Sequence, residues 1–306
     1  MPLSTNLRGS LFMVIATASF TINDAITKLV IETMGLGQTI FIRGMFASLI
    51  IVALAWSRGA LARPRHLMHP MVAMRTLCEV GAAVTFIAAL AHMPLANISA
   101  VLQALPLAVT MGAALFLGET VGWRRWGAIG VGFAGVMVIV RPGFEGFTVF
   151  SLLALVTVMF STARDLVTRL IPDEVPSMLV SSVTAVAVAV VGGVIAAATA
   201  GWTPASGGEL GLLAAAALGL VIGYQFIIMA VRQGDISIVA PFRYTALVWA
   251  LALGYLVFGE VPDAAMIAGA GAIVLSGLYT LYRERKLGRG KPAAESTSPA
   301  MGPDGL

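Results

Sequence analysis

The sequence predicts an all-α polytopic membrane protein: ten transmembrane helices built as two inverted repeats of five, with both termini cytoplasmic. Three observations predict it. Hydrophobic residues make up 58% of the 306 and charged residues 11%, against roughly 25% charged in a soluble chain, and mean hydropathy is +0.93. Ten apolar runs are long enough to cross a bilayer as helices, which takes about 20 residues each. Asn23-Asp24-Ala25-Ile26-Thr27-Lys28-Leu29 matches Arg164-Asp165-Leu166-Val167-Thr168-Arg169-Leu170 at an offset of 141, and that offset also carries Phe116-Leu117-Gly118-Glu119 onto Val257-Phe258-Gly259-Glu260. Duplicated halves with ionisable residues at membrane depth are the sequence mark of alternating-access carriers.

The first repeat covers 8–141 and the second 148–282. Span 1, 8–31, follows Arg8; it is too long for a signal-peptide core, contains Asp24 and lacks an Ala-x-Ala exit, so it is expected to stay as an anchor. Span 2, 37–57, opens after Met34-Gly35-Leu36-Gly37 and closes before Arg63-Pro64-Arg65. Spans 3 (70–91) and 4 (94–117) part at His92-Met93-Pro94, and span 5 (122–141) stops at Arg141-Pro142-Gly143. Spans 6 (148–171) and 7 (176–199) part at Pro172-Asp173-Glu174-Val175-Pro176, and Gly201-Trp202-Thr203-Pro204 precedes span 8 (209–231). Spans 9 (235–258) and 10 (262–282) part at Val261-Pro262-Asp263. Each break is turn-prone or charged, as a helix end requires. Residues 283–306 are polar and rich in Gly, Pro, Ser and Thr, and read as a disordered cytoplasmic tail.

Basic residues set the orientation. Thirteen Lys and Arg, from Arg8 through Arg58, Arg63, Arg65, Arg124, Arg125, Arg169 and Arg232 to the tail, fall on one side, against Lys28 and Arg141 on the other. That side is the cytoplasm. Five helices per half is an odd number, so the second copy enters the membrane from the opposite face. The net charge of +4 lies at span ends, where it orients helices rather than binding nucleic acid. Cys78 is the one cysteine, so neither an intrachain disulfide nor a cysteine-rich metal site is available.

The segments Phe86-Ile87-Ala88-Ala89-Leu90-Ala91-His92-Met93-Pro94-Leu95-Ala96, Leu105-Pro106-Leu107, Phe116-Leu117-Gly118-Glu119 and Trp126-Gly127-Ala128-Ile129-Gly130-Val131-Gly132-Phe133-Ala134-Gly135-Val136 resemble the EamA repeat. Phe226-Ile227-Ile228-Met229-Ala230, Phe258-Gly259-Glu260 and Gly269-Ala270-Gly271 echo it in the second half. The chain thus resembles the drug/metabolite transporter superfamily over 8–282. The resemblance implies a ten-helix secondary carrier of the inner membrane, its pathway built from spans 1, 3, 4, 6, 8 and 9, with spans 5 and 10 peripheral. Asn6-Leu7-Arg8-Gly9-Ser10-Leu11-Phe12 and Phe20-Thr21-Ile22-Asn23-Asp24-Ala25-Ile26-Thr27-Lys28 are similar to the bacterial riboflavin uptake branch, which implies uptake of riboflavin or a similar flat polar metabolite. Export of amino acids or drug-like metabolites is the alternative within the superfamily, and an intramembrane enzyme the remote one.

Charge inside a bilayer is costly and usually functional. Asp24/Lys28, Arg75/Glu79 and Asp165/Arg169 stand four apart, spacing that permits intrahelical pairing. They can act as struts or gate latches or touch cargo, and Lys28, Arg75 and Arg169 are long enough to snorkel. Setting those three aside leaves Arg43, Arg164 and Arg243 against Asp24, Glu79 and Asp165, a balance suited to a neutral cargo. Arg43 with Asp24 reads as an outer gate; Arg164, Asp165, Glu79 and Arg243 read as an inner cluster. If the acids pair otherwise, Arg43 or Arg243 could hold a carboxylate. Pro106 and Pro241 each remove a helical hydrogen bond, near Gln103, Arg243 and Tyr244, and Gln103 and Tyr244 are repeat mates. Phe20, Asn23, Tyr224, Gln225, Phe226, Tyr244 and Trp249 could supply stacking faces and polar contacts. Each also fits plain packing. Glu119 and Glu260 suit the N-terminal dipole of the helix that follows. The glycines of spans 5 and 10 allow close packing and could seat a second protomer.

No His-Glu-x-x-His, no nucleotide loop and no ring-forming filter is present. The expected partners are a small-molecule substrate and the lipid bilayer, with no cofactor, metal or nucleic acid.

Overall fold

The computed structural model describes residues 5–61, 69–142, 148–172, 174–199, 202–233 and 235–286. Arg63, Arg65, His66, Asp173, Arg289 and Lys291 lie outside them, as does the tail from 287. Among the described residues the chain is all-helical and crosses ten times. The passes are 1, Thr5–Met34; 2, Leu36–Ser57; 3, Pro70–His92; 4, Leu95–Leu102 with Leu105–Phe116; and 5, Trp123–Val140. The second half gives 6, Val149–Thr168; 7, Ser177–Ala198; 8, Gly207–Gln233; 9, Ile236–Val239, a 3-10 turn Ala240–Tyr244 and Thr245–Phe258; and 10, Ala264–Lys286. Pass 10 runs beyond the expected end at 282, so residues 283–286 are helical rather than part of a tail.

Local chemistry sets several ends. His69 caps pass 3 by accepting from the Met71 amide, with Pro70 in the first turn, where its missing donor costs nothing. Thr148 caps pass 6 by accepting from Ser151. Passes 4 and 9 end on the repeat mates Gly118 and Gly259, at φ 71° and 65°, a left-handed conformation that costs other residues about 1–2 kcal/mol. The turn then donates the Glu119 amide to Ala113 and the Glu260 amide to Gly254, the six-back bond of a Schellman cap. The recurring Gly-Glu is therefore a device for stopping a helix and aiming a carboxylate.

The halves interleave rather than sit side by side. Pass 1 lies against 8, 2 against 7, 3 against 6, and 5 against 10. Each pair is antiparallel. A Cβ on Gly37 would meet the backbone of Ala196, and one on Gly44 would meet Ala189. Gly132 faces Ser276, while Gly135 and Gly269 meet backbone to backbone. Asn6 accepts from the Asp235 amide at one end of the 1–8 pair, and Thr33 donates to Glu209 at the other. Small residues permit these approaches, because lipid offers no hydrophobic drive for helices to associate. Gly132, Gly135 and Gly269 are thus used within the molecule, whereas Gly127, Gly130 and Gly271 have open space beside them.

The end where pass 1 begins is here termed proximal; the opposite end, at Met34, is distal.

Candidate functional site

Between the halves lies a cavity of about 430 Å3, within the range of small-molecule sites. Its walls come from passes 1, 2, 3, 4, 6, 7, 8 and 9. Passes 5 and 10 contribute nothing to the lining, as the resemblance implied. Passes 2 and 7 are additions to the expected set. The glycines that let pass 2 press against pass 7 bring both inward, and the stripe Gly37, Gly44, Gly192 was the available signal. The lining reaches Arg58 and Met178 near the proximal end but stops distally near Asp24, Phe86 and Leu220. The cavity therefore opens proximally.

Nine of the twelve sequence-derived candidates line it: Asn23, Asp24, Arg43, Glu79, Gln103, Arg164, Tyr224, Gln225 and Arg243. Asp165, Tyr244 and Trp249 are not part of the lining. Asp165 is buried behind Arg164. Tyr244 turns its hydroxyl onto pass 10, where Gly277 leaves room for it. The Trp249 indole nitrogen is buried with no hydrogen-bond partner among the described residues.

The charges pair across helices. Arg164 donates to Glu79 of pass 3 at 2.8 Å and to its neighbour Asp165 at 2.8 Å, so one guanidinium serves two carboxylates. The second Asp165 oxygen has no hydrogen-bond partner among the described residues. The expected inner cluster is therefore assembled in three of its members, with Arg243 on the cavity wall and its carbonyl accepting from Gln103 at 3.3 Å. The expected Arg43–Asp24 gate is bridged by Asn23, which accepts from Arg43 at 3.3 Å and donates to Asp24 at 2.9 Å.

Arg75 does not snorkel. It is 4% exposed, lines the cavity and donates to the Thr168 and Thr184 hydroxyls. The charge balance drawn without it does not hold. Lys28 does not snorkel either: at 7% exposure it donates to Glu260 and to the Met93 carbonyl, each at 2.5 Å. Arg169 pairs with Glu119 at 2.7 Å. An intrahelical pair is worth only about 0.2–0.5 kcal/mol, so carboxylates aimed by the Gly-Glu turns displace Asp24 and Asp165 as partners. Nor does Glu260 serve the helix that follows it. It accepts from the Leu95 amide at 2.7 Å, at the first turn of pass 4.

Lys28–Glu260 and Arg169–Glu119 are repeat mates at opposite ends of the bundle. They differ in burial. The distal pair has side-chain exposures of 8% and 18%, the proximal pair 25% and 49%. Aromatic and amide side chains lie between them. Phe20 and Tyr224 meet edge to face at 5.2 Å between centroids, both on the cavity wall with the amides of Asn23, Gln103 and Gln225.

The family model of EamA-like transporters matches the chain twice, over 7–141 and 149–282. Relatives align almost end to end. A pseudopaline exporter of Pseudomonas aeruginosa is 28% identical, covering 91% of this chain and 97% of that protein. A riboflavin transporter of Rhizobium johnstonii is 27% identical, covering 93% and 94%. An S-adenosylmethionine uptake transporter of Rickettsia felis is 27% identical, covering 93% and 96%. One solved crystal structure superposes with a TM-score of 0.64 at 18% identity, over 92% of this chain and 99% of that one, a likeness of fold.

Proposed function

The chain belongs to the EamA-like transporter family, and from that premise we propose a secondary transporter that takes up a flat polar metabolite by alternating access, riboflavin being the first cargo to test. That it is a small-molecule transporter of the inner membrane, and not an enzyme, follows from the family and its relatives. The cargo, the direction and the alternating mechanism are our reading. One observation carries it: two equivalent ion pairs at opposite ends, unequally buried, on either side of a cavity open at one end.

The halves act as inverted copies, a reading supported by the antiparallel crossings of the equivalent passes 2 with 7 and 5 with 10. With the proximal end in the cytoplasm, as the basic residues direct, the state is inward-open and Lys28–Glu260 is the closed outer latch. Exchange of conformation between the halves exposes that pair and buries the other, which is formed here too but stands more open to solvent. The Phe20–Tyr224 pair and the three amides suit a planar heteroaromatic ring with hydroxyls.

Purified protein in liposomes, given an inward riboflavin gradient, should accumulate flavin faster than empty vesicles and lose the signal to excess unlabelled cargo. No flux of riboflavin, with growth rescue by another metabolite in an auxotroph panel, would replace the cargo and keep the carrier. Resistance of expressing cells to toxic amino-acid analogues would instead assign export.

A further inference from the structure

We propose that the cargo is an oxyanion, a metabolite bearing a carboxylate or phosphate group that the cavity's guanidinium groups receive. The inference rests on the carrier reading and puts an anionic relative in place of neutral riboflavin as its cargo. Four arginines, Arg43, Arg75, Arg164 and Arg243, line the interior. Against them stand Asp24 and Glu79 on the wall and Asp165 behind it. Arg58 adds a further positive charge at the mouth. Both latches are neutral as pairs and leave the sum unchanged. Among the described residues the interior thus counts four arginines to three acids, and Arg58 places the same sign at the mouth.

An excess charge at membrane depth is costly unless something compensates it. A cargo that supplies the missing negative charge is stabilised on entering, whereas a cation is opposed. The arrangement is also asymmetric. At the 141 offset Arg43 stands opposite Thr184, Arg75 opposite Ala216 and Arg243 opposite Leu102. The latches keep their charges in both halves; the cavity arginines have neutral mates. Positions that serve the conformational exchange are duplicated, and the basic ones face a ligand of one orientation. Planar guanidinium groups suit carboxylates and phosphates, which they can bind through two parallel hydrogen bonds.

The test uses the full chain in nanodiscs and a matched pair of probes, riboflavin and its 5′-phosphate, read by flavin fluorescence. The phosphate ester should bind about tenfold tighter or more, the yield of one charge-assisted contact, with inorganic phosphate competing. Arg43→Gln or Arg243→Gln should abolish the preference, and the corresponding Lys variants should restore most of it, which a merely structural arginine would not predict. Equal or tighter binding of riboflavin overturns the proposal. If neither flavin binds, thermal protection by benzoate against benzamide decides: protection by benzoate alone, lost in Arg243→Gln, supports it, and equal or absent protection overturns it. Anion-selective binding without flux of any probe into liposomes would remove the carrier reading and leave the charge assignment standing. Riboflavin flux indifferent to charge would do the reverse.

Discussion

Glu260 shows how much one side chain can join. Its two oxygens take Lys28 of pass 1 and the first amide of pass 4, and the Gly259 turn holds it there. Removing one partner of a buried pair leaves the other uncompensated, at about 3–5 kcal/mol. Lys28→Met should therefore lower the detergent-state Tm sharply. Arg169→Met, at the exposed mate, should cost no more than about 1 kcal/mol; equal losses would mean that the two ends are equally closed. Asp263, in the loop before pass 10, has a smaller role. It accepts from the Met266 amide at 2.7 Å and pairs with Arg141, and these contacts hold its carboxyl below the usual range. A depressed folded-state pKa stabilises above the unfolded value and is lost as pH falls through the folded one. Its share of stability should thus be full at neutral pH and vanish in acid, and Asp263→Asn should flatten that part of the acid limb. The residue types at membrane depth were legible in the sequence because lipid leaves so few reasons for charge. Their partners were not, because spacing of four along a helix shows who can meet locally and says nothing of a carboxylate arriving from another helix.

At the level of elements, the two interrupted passes are where the backbone departs from a continuous helix. Pass 4 breaks at Gln103 and Ala104, ahead of Pro106, and pass 9 turns 3-10 from Ala240 to Tyr244, around Pro241. The breaks face each other through the Gln103 amide on the Arg243 carbonyl. Irregular backbone at membrane depth survives where protein or a polar cavity meets its polar groups, and both conditions hold here. Pro106→Ala should let pass 4 heal into one helix with little change in stability, because Pro106 stands in the first turn after the break, where its missing donor costs little, while slowing transport several-fold. A variant as fast as the parent would make the break incidental. The ten spans were legible because a helix crossing lipid needs about 20 apolar residues. The inward position of passes 2 and 7 was not, since hydropathy measures what a segment tolerates and not which neighbour it touches. Gly37 and Gly44 held that information as small residues seven apart on one face. Gly37→Leu should overpack the 2–7 contact, at about 1–3 kcal/mol, seen as a lower Tm.

For the whole molecule, the repeat makes the unseen end-state predictable. If the halves exchange conformations, the outward-open form follows by transferring each contact through the offset of 141. Lys28–Glu260 then becomes the exposed pair and Arg169–Glu119 the buried one. Glu119 should take the amide of Ile236, the mate of Leu95, as Glu260 now takes that of Leu95. Paired cysteines in a Cys78→Ser background test this. A disulfide between Lys28→Cys and Glu260→Cys should trap the present form, stop transport, and leave a further cysteine at Ser181, on the cavity lining, open to reagents from the proximal side. Reductant should restore flux. Shielding of Ser181→Cys under that lock would show that the distal pair is not the closed end of this state, because a cavity locked open proximally must stay exposed to reagents from that side.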